Sequence, residues 1–77
     1  MTKLELQQLL KSMDHYTQYS DDYSVVESGR KQRDFILEQL DKLFDKKSEG
    51  LEFYNKNTPD GVGYTKDYIN ELKQEGN

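Results

Sequence analysis

The first segment of the chain has the hydrophobic period of an amphipathic helix. Thr2 and Glu5 have the spacing of a capping box, in which each side chain satisfies a backbone donor in the first turn. Apolar residues then recur every three or four positions: Leu6, Leu9, Leu10, Met13 and Tyr16. This pattern predicts a first helix over about residues 3–17.

A second and longer helix is predicted over about residues 22–47. The polar run Ser20–Asp22 favours a break followed by a helix start, because short polar side chains compete for backbone hydrogen bonds and cap first turns. Lys46 and Lys47 suit the negative end of the helix dipole, and Gly50 suits the closing turn. The strongest apolar positions lie in the second half: Ile36, Leu37, Leu40, Leu43 and Phe44.

The remainder reads as a turn-rich segment, 48–64, and a short helix over about residues 66–75 that begins after Thr65. Thr58-Pro59-Asp60-Gly61 is typical of a turn, since proline fixes φ at the second position and glycine accepts positive φ at the fourth. Alternating residues on both sides are compatible with a short β-hairpin within 51–66, or with an irregular loop.

These elements predict a single all-α domain over residues 1–77. The first helix would pack antiparallel on the apolar half of the second, and residues 51–77 would cover the open side. An α+β fold with the hairpin is the alternative. The expected core is Leu6, Leu9, Leu10, Met13, Val26, Ile36, Leu37, Leu40, Leu43, Phe44, Phe53, Tyr68, Ile69 and Leu72.

Composition narrows the class of protein. The 77 residues carry a net charge of −4 and include no cysteine, which excludes a disulfide framework. No apolar run approaches the ~20 residues that a membrane span needs, and the N-terminus lacks the apolar stretch of a secretory signal. The chain is therefore expected to be cytoplasmic, with no membrane partner.

Candidate catalytic and metal chemistry is sparse. His15 is the single histidine, and no nucleophile or orienting group accompanies it in a known order. The acidic residues near helix starts are explained by the helix dipole. A calcium loop aligned on Gly61 would place Lys56 at its first ligand position, where an acidic oxygen is required. The sequence therefore predicts no catalytic residue, no cofactor and no metal, and so no enzyme.

One stripe along the second helix suggests binding. From residue 19 to 44 the spacing alternates between three and four, as in a coiled-coil seam. Its second half is apolar, but its first half holds tyrosines and arginines, which are enriched in binding hot spots. The predicted partner-binding residues are Tyr19, Tyr23, Val26, Arg30 and Arg33. Alternatively, this half of the helix is simply solvated.

The function expected from these observations is a non-catalytic protein–protein interaction module. Size and composition suggest a phage or mobile-element inhibitor or modulator of a host or defence protein, and a homodimer through the second helix is a further expectation. The alternative is a small nucleic-acid-associated regulator that contacts phosphates through Arg30, Lys31 and Arg33. That alternative is less favoured, because Glu27 and Asp34 have the spacing to pair with Lys31 and Arg30.

Overall fold

The computed structural model describes all 77 residues and contains five helices and no strand. The prediction of an all-α domain is confirmed. The helices are α1 (Lys3–Lys11), α2 (His15–Tyr19), α3 (Tyr23–Leu43), α4 (Lys47–Asn57) and α5 (Lys66–Gln74). The hairpin considered within 51–66 is not formed, because residues 51–57 belong to α4 and residues 58–65 form the loop that leads to α5. None of the five helices combines the length and the apolar character that a membrane span requires.

The predicted first helix is divided into α1 and α2. The capping box of Thr2 and Glu5 is present at the start of α1. The helix ends early because the Ser12 hydroxyl donates to the backbone oxygen of Leu9 at 2.6 Å. The Asp14 carboxylate then accepts the Thr17 N–H at 2.7 Å and begins α2. The prediction of one helix over 3–17 was therefore wrong at its centre.

Helix α3 is shorter than predicted, since it ends at Leu43 and not near residue 47. The Asp22 carboxylate accepts the Ser24 N–H at 3.0 Å and caps its first turn. Phe44 has extended backbone dihedrals, which turn the chain before α4. Lys47 is the first residue of α4 and not the last of α3.

Helix α4 lies where the sequence predicted a turn-rich segment over 48–64. Gly50, expected to close the preceding helix, lies within α4. A Cβ atom on Gly50 would come within 3.2 Å of the Leu40 Cβ, so glycine allows α3 and α4 to pack closely. The start of α4 has no side-chain cap. The Ser48 N–H instead donates to the backbone oxygen of Asn77 at 3.2 Å, which satisfies one of its unpaired donors.

The predicted turn is present but shifted by one residue. The Val62 N–H donates to the Pro59 oxygen at 3.3 Å, so Gly61 is the third turn residue and not the fourth. Its φ of 86° suits that position, which favours glycine. Thr65 caps α5 by accepting the Tyr68 N–H at 3.2 Å, and α5 agrees closely with the predicted final helix.

The core is centred on α4, which contacts α1, α3 and α5. Three residues of this core are almost fully buried although the sequence analysis did not place them there: Leu51, Tyr54 and Val62. They join seven predicted members: Leu6, Leu10, Met13, Ile36, Leu40, Ile69 and Leu72. Val26 is only half-buried and lies outside this core, and Tyr68 is 37% exposed. The other predicted residues pack at its edge: Leu9, Leu37, Leu43, Phe44 and Phe53.

Candidate interaction surface

The short helix α2 is held against α3 at Gly29. A Cβ atom there would lie 2.2 Å from the backbone oxygen of Thr17, so only glycine permits this approach. Gln18 is buried, and its Nε2 donates to the Gly29 oxygen at 3.4 Å. The side of α2 that carries Thr17 and Gln18 is thus turned inward, and the tyrosines of α2 remain exposed.

Three tyrosines surround the connection between α2 and α3. The exposed fractions of their side chains are 63% for Tyr16, 50% for Tyr19 and 74% for Tyr23. Arg30 is also exposed and lies about two turns beyond Tyr23 on the same side of α3. We call these four residues the tyrosine face.

Arg33 lies behind this face, in a cluster that joins three segments of the chain. Its Nη2 donates to the Tyr19 hydroxyl at 3.4 Å and to the Val62 oxygen at 3.2 Å. The guanidinium carbon lies 5.8 Å from the ring centres of both Tyr19 and Tyr64, within cation–π range. We call Arg33, Tyr19, Tyr54, Tyr64 and the Val62 carbonyl the Arg33 cluster.

Burial acts on the pKa of each ionisable group at the centre of the Arg33 cluster. It raises the pKa of the Tyr54 and Tyr64 hydroxyls, although the nearby charge of Arg33 partly opposes this. Burial also opposes the charge on Arg33, but the hydrogen bond with Tyr19 and the electrostatic attraction of Tyr54 hold the pKa of Arg33 above its ordinary value. Arg33 Nε and the Tyr54 hydroxyl are both buried without a hydrogen-bond partner. Arg33 is therefore a partly buried charged residue at the edge of the core.

Asn55 fixes the loop that carries Val62 and Tyr64. Its Nδ2 donates to the Tyr64 oxygen at 2.8 Å, and its Oδ1 accepts the Tyr64 N–H at 2.7 Å. A Cβ atom on Gly63 would lie 2.3 Å from the same Oδ1, so glycine is needed for this approach. Sequence reasoning missed Asn55. The Gly61-Val62-Gly63 spacing was the available signal, because it marks backbone that another group approaches closely.

The predicted partner-binding residues do not form one continuous seam. Tyr19 belongs to α2, and the structure brings it to Arg33 inside the cluster. Tyr23 and Arg30 share the open side of α3, whereas Val26 is half-buried beside them. The stripe therefore divides into Tyr19 and Arg33, which contact each other, and Tyr23 and Arg30, which have no such contact.

The charge pairs considered in the sequence are not formed. The ion pairs of the structure are Lys42–Glu38, at 3.4 Å, and Lys73–Glu52. Arg30 and Asp34 are both exposed and have no ion-pair partner, despite their four-residue spacing. Lys31 lies about 160° around the helix axis from Arg33, so the basic triplet is not one patch.

His15 lies between Tyr19 of the same helix and Gly61 of the 58–64 loop. Its ring centre lies 4.7 Å from that of Tyr19, and its Cδ2 lies beside Gly61. No group of three or more histidine or acidic side chains is arranged to hold a metal ion. The contacts that the structure gives His15 are those of a packing residue between α2 and the 58–64 loop.

Comparisons with protein families, with curated proteins and with solved structures found no match to this chain.

Proposed function

We propose that this protein acts by binding another protein chain through the tyrosine face, without catalysis. The observation that carries the proposal is the exposure of Tyr16, Tyr19 and Tyr23 on the two sides of one connection, with exposed Arg30 about two turns beyond Tyr23 on the same side of α3. Tyrosine and arginine offer large contact area with a polar tip, which is why they dominate binding hot spots. Only 32% of the residues are hydrophobic, and yet three aromatic rings are exposed to solvent near one another in the sequence. Grouped exposure of apolar side chains is typical of an interaction site.

The way in which the face is built supports the same proposal. Gly29 and Gln18 position α2, and the Arg33 cluster holds Tyr19 from behind. A surface whose side chains are already ordered loses less conformational entropy when it binds. The contacts that hold Tyr19 and α2 in place are therefore a property expected of a binding surface.

Binding to nucleic acid is the weaker proposal. Phosphate binding needs several basic side chains on one surface. Here Arg33 is engaged inside the protein, and Lys31 lies on a different side of α3 from Arg30. The narrower expectation of a phage or mobile-element inhibitor stays a prediction from size and composition.

The test compares two variants with matched chemical changes on two different exposed sides of α3. Tyr23→Ala/Arg30→Glu removes one exposed ring and reverses one charge on the tyrosine face. Phe35→Ala/Lys31→Glu also removes one exposed ring and reverses one positive charge, but about 110° further around the helix axis, where Phe35 is 45% exposed. Arg33 is kept in both variants, because its contacts are internal. Tagged proteins would be used to capture partners from native cells, and circular dichroism would check the helical content.

We expect the first variant to lose its captured partner and the control to retain it, with equal helical content. Equal capture by both variants would overturn the assignment of the tyrosine face. A shift of labelled DNA or RNA by the wild-type protein that weakens steeply with salt would favour the nucleic-acid alternative.

A further inference from the structure

Helix α3 carries an unusual order of side chains along its open side. Tyr23 and Arg30 lie in its first half, and Asp34 and Asp41 lie in its second half, all exposed. At 100° per residue, these four positions fall within about 40° of one another around the helix axis. The row is therefore aromatic and basic at one end and acidic at the other.

The row is complementary to itself when two copies run antiparallel. Arg30 and Asp34 lie at equal distances on either side of position 32, and so do Tyr23 and Asp41. Consider a two-fold axis that is perpendicular to α3 and crosses this open side at the height of residue 32. It would place Arg30 of each copy against Asp34 of the other, which gives two symmetric pairs. It would also place each Tyr23 against the other Asp41, about 13 Å from the axis. Parallel pairing would place like charges together instead.

A groove lies where the second copy's tyrosine would arrive. It has a volume of about 180 Å³ and runs between α3 and α4, lined by Leu37, Leu40, Asp41, Lys47, Gly50 and Leu51. Three of these residues are leucines, and Asp41 supplies an acceptor at the rim. A tyrosine ring with its hydroxyl near a carboxylate matches this lining. Tyr23, with 74% of its side chain exposed, is the most exposed large apolar residue of the chain.

We propose that the partner of the Tyr23–Arg30 half of the tyrosine face is a second copy of this chain. Two α3 helices pair antiparallel about position 32, each Tyr23 enters the other copy's groove, and Arg30 pairs with Asp34 across the axis. This inference rests on the proposed function, since it names the occupant of part of the same face. The exposed and unpaired state of Arg30 and Asp34 within one copy agrees with it.

A charge exchange tests the pairing. Sedimentation equilibrium would be run over about 10 µM to about 1 mM, the range in which small interfaces dissociate. The proteins are wild type, Arg30→Asp, Asp34→Arg, the double exchange Arg30→Asp/Asp34→Arg, and Tyr23→Ala. Lys31→Glu is the matched control, because it changes a charge on another side of the same helix. All these side chains are exposed, so the fold should tolerate the changes, and circular dichroism checks this.

We expect the wild type to dimerise, and each single charge reversal to weaken the dimer about tenfold or more, because it places like charges together at two symmetric points. The double exchange should restore the dimer constant to within about threefold, Tyr23→Ala should weaken it, and Lys31→Glu should leave it unchanged. A monomer at every concentration, or single variants that dimerise like the wild type, would overturn the proposal. Failure of the exchange to restore the dimer would overturn the antiparallel pairing.

The two proposals can fail separately. Capture of a different protein that depends on Tyr23 and Arg30, by a chain that is monomeric throughout, would support the proposed function and contradict the second copy as partner.

Discussion

At the scale of single residues, Arg33 shows how one side chain joins distant parts of a small protein. Its neutral partners, the Tyr19 hydroxyl and the Val62 carbonyl, come from α2 and from the 58–64 loop. Charge on a partly buried guanidinium is tolerated when hydrogen bonds and aromatic rings surround it. The sequence placed Arg33 on a binding stripe because helical spacing gives the direction of a side chain but not what packs against it.

The buried hydroxyl of Tyr54 provides a test at this scale. Since it has no hydrogen-bond partner, Tyr54→Phe removes a desolvated polar atom and keeps the packed ring. We expect the free energy of unfolding to stay constant or rise by up to about 1 kcal/mol, measured by urea denaturation. Tyr54→Ala should instead lower it by about 3 kcal/mol or more, because it empties a core position. A clear loss of stability in Tyr54→Phe would show that the hydroxyl has a partner.

The two hydrogen bonds of Asn55 provide a second test at the scale of single residues. Asn55→Asp keeps the acceptor for the Tyr64 N–H but replaces the donor to the Tyr64 oxygen, so two oxygens face each other. We expect a loss of about 1–3 kcal/mol in unfolding free energy at neutral pH. Asn70→Asp, on an exposed position of α5, is the control and should have little effect. Equal stability of the two variants would contradict the role given to Asn55.

At the scale of elements, the sequence predicted a helix correctly where the residues that start the helix lie within its own first turn. The capping residues Thr2 and Thr65 begin α1 and α5 as the sequence indicated. Helix α4 was missed because its support is distant: the Ser48 N–H is satisfied by Asn77, and Gly50 packs against Leu40. Asn57, near its end, accepts from Gln7 of α1 at 2.9 Å. No pattern within a short window reports such contacts.

The docking of α2 on α3 is testable at this scale. Within a helix, Gly29→Ala should add about 1 kcal/mol of stability if only helix propensity mattered. Because the new Cβ would lie 2.2 Å from the Thr17 oxygen, we expect a net loss of about 1–3 kcal/mol from overpacking. Ser28→Ala, on the exposed neighbour, is the control in chemical denaturation. Stabilisation by Gly29→Ala would show that α2 does not pack as described.

At the scale of the whole molecule, the chain forms a thin body of 37 × 27 × 18 Å. With a core this small, the two buried tyrosines should contribute visibly to its response to alkaline pH. Tyr54 and Tyr64 have a raised pKa in the folded state, so above about pH 10 the unfolded chain loses their protons first. Unfolding then releases protons, and stability should fall as the pH rises.

We expect urea midpoints to decrease as the pH rises above about 10, and Tyr54→Phe/Tyr64→Phe to reduce that slope. Tyr16→Phe/Tyr23→Phe, which alters two exposed rings, is the control and should keep the wild-type slope. An identical slope in both double variants would show that the buried tyrosines do not govern the alkaline response.

The Arg33 cluster also has a consequence for folding kinetics. Helix α2 has only five residues and is too short to persist alone. Its Tyr19 is tied through Arg33 to Val62, which lies more than forty positions further along the chain. Helix α2 and the 58–64 loop should therefore open and close as one cooperative unit, with shared hydrogen-exchange rates. The lifetime of the binding surface is then set by contacts of Tyr19 with Arg33 and of Arg33 with Val62, which form without a partner.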